Sequence, residues 1–305
     1  MSLSNGDKLK NGKYTIVRNI GKGAYGITYE AKYKYLKNNV VIKTLVKNER
    51  HPDYNDDLKR FKREIQVLKK FLFHPNIVRI YEYFEENGRH YIVMKFLSRE
   101  TLYTLVKKEG KLSELQALDY IYQIGSALKA LHKSNWKHRD VHPNNIMIVK
   151  TKAKNKAILI DFGIAKNRHI RTNERPCGDD RFSPYEQSHY DGFDPRFDIY
   201  ALAACLYYAL TAEYPEDSVD RRRGKPLTLP RKHNPHISEK VENAILKGMA
   251  IERSNRPSSI EKWLKLLPEP NNWHWWLVRW SIEEVGWSIA DSLNKFFKRY
   301  ISRAR

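Results

Sequence analysis

The stretch His138-Arg139-Asp140-Val141-His142-Pro143-Asn144-Asn145, followed sixteen residues after Asn145 by Asp161-Phe162-Gly163, constrains this chain more than any other feature. A strand-rich patch, Ile146–Val149 and Ala157–Ile160, lies between the two groups, and the spacing fits one site. Asp140 offers an acceptor for a hydroxyl proton. Asn145 and Asp161 offer the oxygen ligands that a hard cation such as magnesium takes. Phosphoryl transfer requires both kinds of group.

Two upstream features point the same way. Gly21-Lys22-Gly23-Ala24-Tyr25-Gly26 lies between strand-like runs and reads as a hairpin turn, not as the opening of a helix. A dinucleotide fold needs strand, glycines, then helix; a β-turn whose N–H groups cover nucleotide phosphates needs a strand on each side. By themselves the glycines fit an ordinary hairpin equally well. Lys43 ends the run Val40-Val41-Ile42-Lys43, seventeen positions after Gly26, on a strand that would neighbour the turn. A cation buried there suits α- and β-phosphates but needs a carboxylate to hold it. Glu64, 21 positions on, sits in a helical pattern where a surface glutamate is the plainer reading.

The organisation is that of a mixed chain. Residues 14–47 alternate like strands, and 56–73 place Leu58, Phe61, Ile65, Leu68 and Leu72 at helical spacing. Strand-like runs Ile77–Phe84 and His90–Phe96 complete a five-stranded sheet with one helix. From Thr101 the pattern turns helical, over Leu112–His132, Ile199–Thr211, Ser238–Met249 and Ile260–Leu267. The net charge of +21 invites a nucleic-acid or anionic-membrane reading, but the excess is spread out: +9 over 1–94, +10 over 95–267 and +2 over 268–305. Nucleic acid is therefore not the expected partner. Cys177 and Cys205 lack disulfide or metal spacing, and no run of apolar residues suits a signal or a span, so cytoplasm is the expected location.

In this order the motifs resemble eukaryotic-type Ser/Thr protein kinases over about residues 14–267. The resemblance rests on the three glycines, Lys43, Glu64, Asp140, Asn145 and Asp161-Phe162-Gly163, then Ser183-Pro184-Tyr185-Glu186, Asp198 and Arg256. The segment AILKGMAIERSNRPSSIEKWLKLL looks especially like bacterial, and among them cyanobacterial, members. The resemblance implies an α+β, bilobal protein-kinase-like fold: N-lobe 14–94, hinge 95–97 and C-lobe 98–267, with 1–13 an N-terminal extension and 268–305 a tail. It implies a signalling enzyme that uses ATP with magnesium, manganese being an acceptable substitute, to phosphorylate protein serine or threonine. Asp140, Lys43, Glu64 and His142 would serve catalysis, and Asn145 and Asp161 the metal. Nucleotide would lie against Ile20, Gly21, Lys22, Gly23, Ala24, Tyr25, Gly26, Thr28, Val41, Lys43, Met94, Lys95, Leu97, Asn144, Asn145, Met147 and Asp161, with Met94 at the back of the adenine pocket. Leu68, Ile80, His138 and Phe162 would stack between the lobes, Glu186 and Arg256 would form a buried ion pair, and Asp198 would anchor the catalytic loop.

Four positions depart from the family pattern. Thr28 and Val41 stand where valine and alanine are usual, a modest change to the adenine sandwich. His142 replaces a lysine that contacts the γ-phosphate, and Asp179 replaces a threonine that touches that lysine. The two are read as a replacement pair that restores positive charge through an imidazolium. Drift in a weakened enzyme, or a nucleotide-binding scaffold without transfer activity, is the competing reading. Thr172 is the one hydroxyl between Gly163 and Ser183, hence the candidate autophosphorylation site; Arg168, Arg171 and Arg175 beside it suit an acidic partner group equally.

Beyond Pro268-Glu269-Pro270, apolar residues from Trp275 to Tyr300 recur at spacings of three and four, which predicts an amphipathic helix over about 274–301. Tryptophans crowd its start and Lys295, Lys298, Arg299, Arg303 and Arg305 its end. Docking on the same chain's own lobes or on a partner fits that pattern, and so does peripheral contact with an anionic membrane.

Overall fold

Val40, Ile42 and Thr44 are buried on one side of their strand, while Val41 and Lys43 are half-buried on the other, the period-two alternation of a pleated strand. The buried side joins a core built on Tyr14, Tyr29, Phe84 and Tyr91. The other side faces a cleft. In the computed structural model, which describes residues 2–23, 26–35, 38–45, 54–97, 100–152, 154–162, 166–167, 181–188 and 194–269, this strand belongs to an antiparallel sheet of six, ordered β1-β2-β3-β4-β6-β5. These are β1 (Lys8–Leu9), β2 (Tyr14–Gly23), β3 (Gly26–Tyr33), β4 (Val40–Thr44), β5 (Ile80–Glu86) and β6 (Arg89–Lys95).

Five strands are expected from periodicity; β1 is the sixth. A two-residue strand carries no pattern to read. It is held by backbone bonds, with Gly6 donating to Ile16 and Ile16 to Asp7 at 2.9 Å each. Glu82 on β5 adds a polar anchor, accepting from Lys10, from Lys13 Nζ at 3.0 Å and from Tyr14 OH at 2.6 Å.

Helix α1 (Tyr54–Lys70) crosses the cleft side of the sheet and buries Phe61, Glu64, Ile65 and Leu68. The polar Glu64 shares this stripe because it stands three residues after Phe61 and four before Leu68. After a turn, residues 74–78 sew the sheet to the second half of the chain. Asn76 Nδ2 donates to Gln123 Oε1 at 3.0 Å and to Ala157 O at 2.9 Å, and backbone bonds link Leu159 to Asn76 and Val78 to Leu159.

The second half is mainly helical: α2 (Leu102–Glu109), α3 (Glu114–Lys133), α4 (Arg196–Thr211), α5 (Ser218–Arg222), α6 (Pro230–His233), α7 (Glu239–Gly248) and α8 (Ile260–Leu264). Short strands β7 (Trp136–Lys137), β8 (Ile146–Val149), β9 (Lys156–Leu159) and β10 (Lys166–Asn167) pair as β7 with β10 and β8 with β9. Ser113, Ser238 and Ser259 cap α3, α7 and α8 by accepting a backbone N–H, each typically worth about 1 kcal/mol. Helix α4 is buried on nearly every side, as an almost uniformly apolar helix must be. Gly248 lets α7 approach it: a Cβ there would lie 2.6 Å from Ala203 Cβ and from Trp263 Nε1.

The chain divides into Met1–Leu267 and Pro268–Arg305. The predicted tail helix, Thr172, Cys177 and Asp179 lie outside the described residues, as do Ala24, Tyr25 and Gly163. Among the described residues no helix is long and apolar enough to cross a membrane. Cys205 is buried in α4, as its apolar context predicts.

His74, at the start of the inter-lobe seam, accepts the Asn76 N–H on Nδ1 at 3.2 Å, and burial lowers its pKa to about 4 from an ordinary 6.5. A histidine depressed in the folded state stabilises above the unfolded value and loses that contribution as pH falls toward the folded one. Stability should therefore drop between about pH 6.5 and pH 4, by on the order of 3 kcal/mol from this group. Urea unfolding at several pH values should show the acid-side loss shrinking in His74→Gln.

Candidate active site

The register Thr28↔Lys43 and Lys43↔Ile92 sets Lys43 in the middle of the sheet's cleft face. Its Nζ lies 2.8 and 3.0 Å from the two oxygens of Glu64 on α1 and 2.9 Å from Asp161 Oδ1, which follows β9. Burial pulls Lys43 down, but the carboxylates of Asp161 and Glu64 outweigh it and hold the ammonium above the ordinary lysine range. Burial pushes Glu64 up, against the pull of Lys43. We read the pair as ionised, because one ammonium serves three carboxylate oxygens. The Glu64 side chain is 2% exposed and that of Asp161 45%, so Asp161 alone of the two keeps an open side toward the cleft.

Asp198, fully buried at the start of α4, holds the catalytic loop from below. It accepts the backbone N–H of His138 at 2.9 Å and of Arg139 at 2.7 Å, and meets His132 Nε2 at 2.8 Å. Burial alone would raise this carboxyl; His132, His138 and the Arg139 amide hold it below the ordinary carboxylate range. Above it, Asn145 Nδ2 donates to Asp140 O at 2.9 Å and to Asp140 Oδ2 at 3.0 Å. The Asn145 amide oxygen is left for another partner. Arg139 and Asp161 both have left-handed backbone, φ 69° and 59°, a conformation that costs a non-glycine residue roughly 1–3 kcal/mol and concentrates at functional sites.

Leu68, Ile80, His138 and Phe162 are buried, and the rings of His138 and Phe162 meet edge-on at 4.7 Å. His138 Nδ1 accepts from the Asp140 amide at 3.3 Å, leaving Nε2 to donate to Ile160 O at 3.2 Å. Burial keeps this ring neutral by lowering its pKa, against the opposing charges of Asp198, Asp140 and Asp161. Arg256 binds Glu186 in a fork, at 2.6 and 3.2 Å, and donates as well to Ala250 O and Ile251 O. Gln187 next to it donates to Arg139 O at 2.9 Å, tying this segment to the catalytic loop.

Two connected spaces meet at Lys43. A cleft of about 480 Å³ is lined by Ile20, Gly21, Thr28, Val41, Lys43, Glu64, Met94, Lys95, Leu97, Met147 and Asp161. In front of it a space of about 800 Å³ adds Lys22, Gly26, Asp140, His142, Asn144 and Asn145. Gly23 pairs with Gly26 at the hairpin end. Gly26 also lies against β4, where a Cβ would come within 2.5 Å of Thr44 O. Periodicity does not reveal Arg18, Asn19, Val78, Phe96 and Ile160, which also line the cleft. For Arg18 and Asn19 the cause is irregular pairing of β2 with β3 at Ile16/Arg18 and Asn19/Gly21, which resets the strand's alternation. Ile160 carried a signal in its place beside Asp161.

A family model described as the protein kinase domain matches residues 14–266. The serine/threonine-protein kinase PrkC of Bacillus subtilis is 33% identical over 82% of this chain and 39% of its own length. PknD, a serine/threonine-protein kinase of Mycobacterium tuberculosis, is 32% identical over 80% of this chain and 38% of its own. The Aurora kinase of Saccharomyces cerevisiae is 30% identical over 80% of this chain and 65% of its own. The chain thus spans about two fifths of the length of these bacterial relatives. With this match across both lobes and the site they enclose, the chain belongs to the protein kinase family.

Proposed function

We propose that this chain is a protein serine/threonine kinase that acts in signalling from a cytoplasmic location. The observation that carries the reading is the Lys43 ammonium, bound to Glu64 and Asp161 at the floor of a cleft whose front holds Asp140 hydrogen-bonded to Asn145. Bound ATP supplies the γ-phosphoryl group, and magnesium, which manganese can replace, neutralises charge on its phosphates. The donor set fits such a cation: Asp161 has an exposed carboxylate and Asn145 an uncommitted amide oxygen. Among the described residues there is no cluster of three or more His, Cys, Asp or Glu poised for a metal. A magnesium ion is usually bound through one or two carboxylates plus phosphates and water.

Each residue then has a task. Lys43 orients the α- and β-phosphates; Glu64 keeps it in place. The hairpin through Gly21, Gly23 and Gly26 covers the phosphates with backbone donors, and Lys95–Leu97 offer backbone groups to the base, with Met94 behind it. Asp140 receives the acceptor hydroxyl's proton as the new P–O bond forms and the bond to the leaving diphosphate breaks. Asn145, through its two bonds to Asp140, sets the direction of that carboxylate.

His142 lines the front space with Nε2 3.8 Å from Asp140 Oδ2. It takes the place of the family's lysine toward the γ-phosphate, an arrangement in which Asp179 would be its partner. The tail from Pro268 is a docking element for a partner or for the chain's own lobes, with peripheral contact on an anionic membrane as the other reading.

Asp140→Asn should reduce magnesium-dependent phosphate incorporation at least about a hundredfold with the melting temperature unchanged. Asp198→Ala strands two amides and an imidazole and should lose activity and stability together, by roughly 3 kcal/mol or more. Incorporation that persists in Asp140→Asn would sink the assignment of the base. His142→Ala should lower turnover and His142→Lys should retain it; equal turnover in the unchanged protein and His142→Ala rejects the role of His142. Co-sedimentation of full-length protein and residues 1–267 with anionic vesicles should be equal if the tail is a docking element.

A further inference from the structure

The chain carries no acidic residue from Ile65 to Tyr81 or from Tyr91 to Leu97, while Lys69, Lys70, Arg79 and Lys95 fall within those runs. The fold brings the two runs together. Ile80 of β5 stands opposite Met94 of β6, and the Lys95 N–H donates to Arg79 O at 2.9 Å. Lys69 and Lys70 end α1, and Phe73 follows in the turn after it. All four cations are exposed, and among the described residues none of them is ion-paired.

At the centre of this surface Arg79 lies over two rings. Its guanidinium carbon is 5.8 Å from the centre of the Phe73 ring and 5.8 Å from that of Tyr81. Both rings are open to solvent, Phe73 by 55% and Tyr81 by 40%, so this is no part of the core. Ring faces hold a guanidinium in place without cancelling its charge, and its planar fork then suits a carboxylate. The carboxylates of the adjoining elements are turned elsewhere: Glu64 to Lys43, Glu82 to Lys13 and Tyr14, and Asp119 of α3 to Lys154 at 2.6 Å. Glu85 and Glu86 stand at the far end of β5.

β5 is an edge of the sheet, and irregular pairing at Ile80/Glu82 sets Tyr81 outside the ladder. Such a bulge blunts an edge against an added strand, so recognition falls to the side chains. Aromatic residues and arginine are the ones that carry binding energy where proteins meet. A second copy of this chain, at +21, would bring like charge to the same place. None of Phe73, Arg79 and Tyr81 lines the cleft.

We propose that Phe73, Arg79 and Tyr81 form a docking site for an acidic segment of a partner protein, whose carboxylates meet Arg79 and whose apolar side chain lies on the two rings. Lys69, Lys70 and Lys95 stand at its rim. The site is separate from the transfer chemistry and does not depend on the kinase reading.

The test uses the full chain at physiological ionic strength, where loose attraction between exposed charges is screened. The probe is a fluorescein-labelled peptide of glutamates around a central pair of phenylalanines, followed by anisotropy. It should bind, and exchanging its phenylalanines for serine or its glutamates for lysine should weaken or abolish binding. Arg79→Glu should raise the dissociation constant at least about tenfold, as putting like charge in place of a charge-assisted contact does. Arg79→Lys, which keeps the charge and loses the fork, should fall between. Phe73→Ser with Tyr81→Ser should also weaken binding, and the melting temperature should hold in each variant because all three side chains are exposed. Lys240→Glu on α7 makes the same change in net charge and should cost less than about twofold. A probe that does not bind, a loss as large in Lys240→Glu as in Arg79→Glu, or binding indifferent to the phenylalanines overturns the proposal. So does an Arg79→Glu variant that loses phosphatidylserine vesicles or duplex DNA more than it loses the peptide, since the surface would then serve lipid or nucleic acid.

Discussion

A single ammonium group holds this active site together. Lys43 comes from the sheet, Glu64 from α1 and Asp161 from the segment after β9, so three separately formed elements converge on one buried charge. Removing any one partner would leave charge in a low-dielectric place, and that is costly whether or not the intact cluster is net stabilising. The geometry is strict for that reason: α1 must sit close enough to present Glu64, and the backbone at Asp161 must accept a left-handed conformation to present its carboxylate.

Asp198 does for the catalytic loop what Lys43 does for the cleft. Its buried carboxylate takes two consecutive backbone amides and an imidazole, which fixes the loop's direction and leaves the side chains of Asp140 and Asn145 to face one another. The two polar centres are joined through an apolar column in which Phe162 and His138 touch, and through the amide seam at Asn76, Gln123 and Ala157. Displacement at any of these points would be felt at both centres, since packed interiors pass shifts on instead of absorbing them.

Much of this was legible in the chain. That Asp140, Asn145 and Asp161 come together was expected from their residue types and spacing, and that the glycine hairpin and Lys43 join them from their place in a strand pattern. Glu64 was legible only in part: its spacing from Phe61 and Leu68 puts it on the buried face of α1, but a carboxylate in such a pattern reads as surface until its cation is known. Strand β1 was beyond reach, because two residues have no period. Arg18 and Asn19 were hidden by irregular pairing in β2, which redirects side chains without a mark in the sequence.

The sequence alone thus determined the order of most elements, the candidate reactive groups and the family, since these depend on local periodicity and on the chemistry of side chains named in a row. Only the tertiary structure decided that both Glu64 and Asp161 meet Lys43 and that Asn145 points its amide at Asp140. Those facts depend on contacts between residues as much as 118 positions apart, as Lys43 and Asp161 are. Such contacts are set by how faces pack in space, for which neighbouring residues in the chain carry no signal.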